Sequence, residues 1–408
     1  MGILLTQRSG LIIGNIAKLF GFLMNWIFEA LNSIGIESIG LSIILFTVIV
    51  YMLLLPLTIK QQKFTRISAV MNPEIQKIQK KYQGKKDQVS MTKMQEETNL
   101  VYQKYGTSPT GGCLSSLIQL PILFALWPVI QNIPAYVSKV KDAYMPLVEK
   151  ILATKGFQSI MEEIGSAKPI QISPKGFDYT LPNTIVDVLY KFQDSTWETL
   201  VDKFPELTNL INQTQDTVKN YNYFLGINIA ESPSSMIGAA IKTMSIGLII
   251  VAILIPVLAG FTQWLNMKLM TSKQQRQQQE ENAMVTQMNQ TMKFMPLMSV
   301  VLCFSMPAGL GLYWITSAVV RTIQQVLINK ALDKKSIDEL VKANVEKAAK
   351  KNARKDAVDS KTVATMAQTN TKRKTTSNNN VDSYKQNAKP GSLASKANMV
   401  SDYNKNKK

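Results

Sequence analysis

From Leu41 to Ile59 the chain runs nineteen residues without a charge, and Lys60, Lys63 and Arg66 follow at once. Nineteen residues in an α-helix rise about 28 Å, enough to cross a hydrocarbon core of roughly 30 Å. The three-residue steps between the cations place them along one face of a continuing helix at the edge of the lipid. There they read as positive-inside anchors. Tyr51 puts a hydroxyl near the middle of the span, where a buried phenol wants a partner.

The other apolar residues of this 408-residue chain are clumped as well. Further candidate segments are Ile12–Ile34, Leu114–Tyr136, Thr243–Trp264 and Phe294–Leu327, the last long enough for two passes. Charge orients them. Lys plus Arg against Asp plus Glu is 10 to 4 over 60–111, 9 to 12 over 137–238, 4 to 2 over 267–293 and 18 to 8 over 331–408. Basic segments stay in the cytoplasm, so the acidic 137–238 stretch is expected outside and the C-terminus inside.

The fold expected is an all-α polytopic membrane protein: a five-helix transmembrane core, an interfacial amphipathic N-terminal helix and a cytoplasmic helical hairpin. Its parts are an N-terminal segment 1–38, a first span 39–59, the hairpin 60–111, a second span 112–136 and an external insertion 137–238. A third span 239–266, a cytoplasmic link 267–292, fourth and fifth spans 293–329 and a basic tail 330–408 complete it. In the N-terminal segment Asn15, Lys18, Asn25, Glu29 and Asn32 recur at helical spacing between Ile16, Leu19, Phe20, Leu23, Trp26, Ile27 and Leu31, which suits a helix lying in the interface. The N-terminus has neither a cysteine for lipid attachment nor a small-residue cleavage site, so it is expected to be retained.

In the hairpin, Pro73-Glu74 suits a helix start. Ile75, Ile78 and Tyr82 face Met91, Met94, Thr98, Val101 and Tyr105 across a turn at Gln83–Asp87. This thin seam implies mobility. The second span carries Pro121 and Pro128 and is expected to be irregular. The insertion reads as small and partly ordered, with helix-like pieces at Ile185–Phe192 and Trp197–Leu200. Phe294–Ser305 and Leu310–Leu327 make a tight hairpin about Met306-Pro-Ala-Gly-Leu-Gly311. The far tail, rich in Asn, Ser, Thr and Lys, is disordered by composition.

Catalysis finds little material here. Histidine is absent, and Cys113 and Cys303 lie in or beside apolar spans. No cluster with metal-ligand spacing replaces them, so no enzyme activity, cofactor or metal is expected.

Several stretches together resemble the YidC family of membrane protein insertases, which has relatives in mitochondria and chloroplasts. They are Leu55-Pro-Leu-Thr-Ile-Lys-Gln-Gln62, Asn72-Pro-Glu-Ile-Gln-Lys-Ile78, Ser108-Pro-Thr-Gly-Gly-Cys113, Ile118-Gln-Leu-Pro-Ile122, Phe224-Leu-Gly-Ile-Asn-Ile229 and Met306-Pro-Ala-Gly-Leu-Gly-Leu-Tyr-Trp314. The resemblance implies insertion and folding of membrane proteins in a bacterial plasma membrane, through a hydrophilic groove open to cytoplasm and lipid and closed outside. It implies nascent membrane proteins, the lipid bilayer and, through the basic tail, the ribosome as partners, with the Sec translocon a further candidate. The family's groove arginine matches Tyr51 here. Asn is usual where Ser108 and Ala318 stand.

The polar residues expected to line such a groove are Tyr51, Ser115, Ser116, Gln119, Gln263 and Asn266, with Lys63 and Arg66 at its mouth. Hydrogen bonding between helices would use the same side chains. If position 51 is hydrated, Tyr51→Arg is expected to be tolerated; if Lys60 and Lys63 are redundant with Arg66, Arg66→Ala is expected to be nearly silent. A transporter or channel subunit would show repeats or an acidic relay in the spans, and neither is present. A ribosome-tethering scaffold explains the tail but leaves the polar span residues unused.

Overall fold

The computed structural model describes residues 7, 10–85, 87–108, 114–167, 178–270 and 296–350, and of 114–120, 123 and 270 only the backbone. The described residues are helical apart from turns and one two-stranded ribbon. They form two units: Met1–Gln103 with Ser108–Leu340, and Lys104–Thr107 with the segment from Val341. In the second unit, Gly106 at φ 60° lets the backbone of Asn344 and Val345 approach to where a Cβ would meet it at 2.6 Å.

Helix α1 (Ile13–Ser33) buries Ala17, Phe20, Gly21, Met24, Ile27, Phe28 and Leu31 against α5 and α2. Its outer face shows Leu19, Phe22 and Trp26 beside Asn15 and Lys18, the mixture an interfacial helix needs. Its other polar residues are used as clasps. Asn25 Oδ1 accepts from the Ser138 N–H at 2.8 Å, and Lys139 donates to Asn32 and, at 2.8 Å, to Glu37.

Helix α2 (Ile39–Leu53) starts at Ser38, whose hydroxyl accepts from the Leu41 N–H at 3.3 Å. One face, Ile39, Ile43, Phe46, Thr47, Val50 and Tyr51, is buried. Thr47 and Ser42 return their hydroxyls to the carbonyls of Ile43 and Ser38, which makes them tolerable in an apolar span. The expected continuous helix through Lys60 is broken instead. Helix α3 (Leu55–Lys81) leaves α2 at a bend of 57°. The cause is local: Pro56 has no N–H to return to the Met52 carbonyl. Pro73 lies inside α3 and does not open a new helix.

Helix α4 (Gln88–Lys104) follows after a turn, and Lys81 and Tyr82 both donate to Glu97, at 2.6 and 2.9 Å. Of the expected seam, Ile75, Tyr82, Val101 and Tyr105 are buried and Met91 is exposed. Helix α5 (Leu114–Gln131) runs unbroken through Pro121 and Pro128, where irregularity was expected.

The 137–238 insertion is more ordered than its composition suggests. Helices α6 (Ser138–Ala153), α7 (Phe157–Ser166), α8 (Pro182–Tyr190), α9 (Asp194–Lys203) and α10 (Thr208–Asn222) pack around Tyr144, Leu147, Ile151, Met161, Ile185, Leu189, Leu200, Phe204 and Ile211. That core is continuous with the buried faces of α1, α2 and α5. Asp187 on α8 is out of place in it. It is 3% exposed, and neither carboxylate oxygen has a partner among the described residues. Burial pushes its carboxyl up to about 7, against the pull of Lys191 and Lys141.

The ribbon β1 (Tyr223–Phe224) and β2 (Ile227–Asn228) leads to α11 (Pro233–Lys242) and α12 (Ile246–Met270). Helices α13 (Pro296–Ser305) and α14 (Ala308–Leu332) close the tight hairpin expected about Pro307. Two stretches of the family resemblance meet here. The Ala308 and Gly309 N–H groups, orphans of a helix start, donate to the carbonyls of Glu231 and Ile229 at 2.7 and 2.9 Å. Gly311 allows Ile255 of α12 in to 2.6 Å of where a Cβ would stand. Among the described residues, α12 is long and apolar enough to cross a membrane alone, and α2 with α3 passes the same test as a bent pair. The tail from 351, expected to be disordered, and the 271–295 link lie outside the described residues.

Candidate functional site

Helix α14 is largely apolar, yet Ser317, Arg321, the adjacent Gln324 and Gln325, and Asn329 recur along it at steps of three or four. That spacing collects them on one face, and the face turns inward against α2, α12 and α3. Arg321 is its one charge. Nε donates to the Ser317 carbonyl one turn back at 3.2 Å, and Nη2 donates to Gln263 Oε1 of α12, also at 3.2 Å. The guanidinium lies over the Tyr51 ring, 5.8 Å from its centroid. Among the described residues no carboxylate pairs with it. The cation is therefore held by an aromatic face, an amide and a carbonyl, with its charge uncompensated.

The break between α2 and α3 shapes the floor of this seam. Leu54 N–H returns to Val50, and Leu57 and Thr58 N–H both return to Leu54. The carbonyl of Tyr51 is taken up instead by the side-chain amide of Gln324, 2.9 Å away and buried. Gln324 Oε1 is left without a partner among the described residues, and a buried acceptor in that state is a place for ordered water. Asn266 Nδ2 donates to Thr322 Oγ1 at 3.3 Å and closes the seam between α12 and α14. At 1.5 Å per residue, Tyr51 lies about 18 Å from the start of α2, Arg321 about 20 Å from the start of α14 and Gln263 about 25 Å from the start of α12. All three stand far down their helices from the Pro307 hairpin.

The sequence-derived candidates divide accordingly. Tyr51 and Gln263 meet Arg321, and Asn266 bonds the next residue, Thr322. Ser115, Ser116 and Gln119 sit in the first turns of α5, which touches α3 and α14, but their side chains lie outside the described residues. Lys63 is half-buried on α3. Arg66 is a brace. Its guanidinium donates to the Asn329 carbonyl at 3.0 Å and to Asp333 at 2.6 Å, capping the C-terminal end of α14 where a cation suits the helix dipole. Gln62 donates to the Asn329 side chain at 3.0 Å beside it. Redundancy with Lys60 and Lys63 does not follow from this arrangement. With the Asp333 side chain 69% exposed, Arg66→Ala is expected to cost about 1 kcal/mol, mostly from the lost carbonyl bond. Lys60→Ala and Lys63→Ala should each stay within about 0.5 kcal/mol, which thermal unfolding in detergent would resolve.

Reading the sequence for apolar runs missed Arg321, Ser317, Gln324 and Gln325. The signal was there: one charge between Leu310 and Leu327, with amides three and four residues on, is costly in a span unless it faces the bundle interior.

The family model described as 60Kd inner membrane protein matches residues 30–335, which takes in α2 to α14 and every candidate residue above. The chain belongs to this family, the YidC family. Among relatives of this YidC-family chain is membrane protein insertase YidC 1 of Halalkalibacterium halodurans, 40% identical over 113 residues, covering 28% of this chain and 44% of the relative. Membrane protein insertase YidC of Fusobacterium nucleatum is 26% identical over 297 residues, 72% of this chain and 88% of the relative. The chloroplast inner membrane protein ALBINO3 of Arabidopsis thaliana is 24% identical over 325 residues, 79% of this chain and 54% of the relative. The chain thus spans under half the length of the first of these relatives.

Proposed function

We propose that this chain inserts and folds membrane proteins in a bacterial plasma membrane. It does so without covalent chemistry, through the polar seam between α2, α12 and α14, open to cytoplasm and lipid. Five spans surround the seam (α2 with the top of α3, α5, α12, α13 and α14), α1 lies in the interface and the C-terminus is cytoplasmic. The observation that carries this reading is Arg321 seated on Tyr51 and Gln263 deep in apolar helices, with no carboxylate among the described residues to neutralise it. A charge there attracts the polar or acidic flank of a nascent segment and holds water beside it. The low-dielectric path that flank must cross is thereby shortened, where bringing a charge to the bilayer centre costs several kcal/mol. The names of the relatives support the same reading.

The test is reconstitution of the full chain into proteoliposomes with a small, weakly hydrophobic membrane protein synthesised in their presence. Protease-protected substrate should appear with the chain and be absent from empty liposomes; equal protection in both would end the proposal. Ribosomes are the partner proposed for the tail, which holds 18 basic and 8 acidic residues over 331–408. Deleting 351–408 should reduce ribosome co-sedimentation. Binding by the intact chain should fall steeply between 50 and 200 mM salt, by orders of magnitude if about six or more phosphates are contacted. The Sec translocon is proposed as a further partner on the family resemblance alone.

A further inference from the structure

Among the described residues, two that are not glycine have left-handed backbone: Leu225 at φ 52° and Met244 at φ 49°. Both positions have well-understood preferences, and neither residue fits them. Leu225 and Gly226, φ 80°, join Phe224 to Ile227 in a two-residue ribbon turn with positive φ at both corners, a geometry that favours Asn, Asp or Gly first. Met244 ends α11. The Ser245 N–H returns to the Ala240 carbonyl at 2.9 Å, which makes Met244 the left-handed residue of a Schellman cap, the usual place of glycine. In both, a large apolar side chain is thrown outward, Leu225 79% and Met244 88% exposed.

Their depth in the fold is defined. Phe224, next to Leu225, packs so closely on Gly40 at the start of α2 that a Cβ there would collide with the ring. Ile227, on the other side of the turn, packs in the cluster of Met236, Ala252, Ile255 and Ala308. Ala252 and Ile255 lie six and nine residues into α12, about 9 and 13 Å along it. Met244 precedes α12 by two residues and continues its exposed apolar face of Ile246, Ile250, Ile253 and Leu254. The turn and the cap therefore stand at the level of the first turns of a span. From Tyr223 to Ile229, and from Thr243 to Asn266, the chain has no charged residue.

We propose that Leu225 and Met244 are lipid anchors: paired apolar side chains held on strained corners so that they enter the outer leaflet and fix the insertion against the bilayer. The partner is the acyl-chain and headgroup boundary of a membrane. Strain accepted for an outward-pointing apolar side chain is repaid only where that side chain leaves water, and the surface continuous with Met244 is the lipid-facing flank of α12. The inference rests on the membrane reading above.

The test uses the full chain in nanodiscs of phosphatidylethanolamine and phosphatidylglycerol, with Cys113→Ser and Cys303→Ala as background. Nitroxides are placed singly at Leu225→Cys, Met244→Cys, Ile253→Cys and Glu206→Cys. Collisions with oxygen, which concentrates in lipid, are compared with those of a water-soluble nickel complex. Oxygen access should exceed nickel access at 225 and 244, as at 253, and the order should reverse at 206, which is exposed on the insertion. Greater nickel access at either 225 or 244, with 253 still in lipid, overturns the anchors and leaves the insertase reading intact. Nickel access at 253 itself overturns both. Should the cysteine-free background fail to accumulate, Leu225→Trp in the natural sequence decides: its added emission should be quenched by lipids brominated on the acyl chain, and quenching by aqueous iodide instead overturns the proposal.

Discussion

Replacing Arg321 with leucine is expected to slow insertion of a weakly hydrophobic substrate by more than an order of magnitude while leaving at least as much folded protein in the membrane. The two halves of this result have separate causes. With α14 spanning the membrane as proposed, a guanidinium deep in it costs roughly 2.5–3.5 kcal/mol on insertion scales. Its bonds to Gln263 and Ser317 and its contact with the Tyr51 ring return about 1–3 kcal/mol. Removing it therefore leaves stability unchanged or improved. Function loses the one charge on the inward face of α14. If that charge lowers the barrier for a polar flank by about 2 kcal/mol, the rate falls roughly thirtyfold.

Position 51 sharpens the result. Arginine at 51 was expected to be tolerated in a hydrated groove, but Arg321 already stands 5.8 Å from the centre of that ring. At an effective dielectric near 20, two like charges at that separation repel by about 3 kcal/mol, so Tyr51→Arg alone should lower the amount of folded protein. In the Arg321→Leu background the same change meets no second cation, and it should restore both abundance and insertion. Rescue by relocation distinguishes a seam that needs a charge from one that needs this side chain for packing. Insertion by Arg321→Leu equal to the natural chain would remove the cation from the mechanism.

The second large effect lies in the insertion. A carboxyl that titrates at about 7 in the folded chain, up from 3.8, is protonated when folded and ionised when unfolded over that window. The folded state then binds the extra proton, so stability falls as pH rises from about 4 to 7 and levels off above. At 1.36 kcal/mol per unit the penalty at pH 8 is about 2–4 kcal/mol, with the upper figure a ceiling. Asp187→Asn carries no charge to bury. It should protect the amides of α6 and α8 against hydrogen exchange at pH 8 by about that amount, and it should change protection little at pH 4. Equal protection factors for the two proteins at pH 8 would show that Asp187 is ionised and satisfied in the folded insertion.

Much of the architecture could be read from residue patterns alone. Apolar runs with helical spacing and flanking cations mark α2, α12 and the α13–α14 hairpin, because long apolar helices announce themselves by composition over many residues. The amphipathic α1, with one face for the core and a mixed outer face, was legible for the same reason. Tyr51, Gln263 and Asn266 were identifiable as polar residues in apolar surroundings. Which of them meet was not. The cation expected on α2 arrives from α14, some 270 positions later in the chain, and only the packing of two helix faces brings Arg321 over Tyr51. Arg66 looked equivalent to Lys60 and Lys63 by spacing, yet the end of α14 selects it alone as a cap. The insertion hid its core because its helices are short and each offers only a few apolar residues; five of them together enclose one. Local pattern decides which residues leave water, since transfer free energy sums over neighbours in sequence. Tertiary packing decides which polar groups share the space left between them, because a hydrogen bond or a cation on a ring depends on distances that no single helix contains.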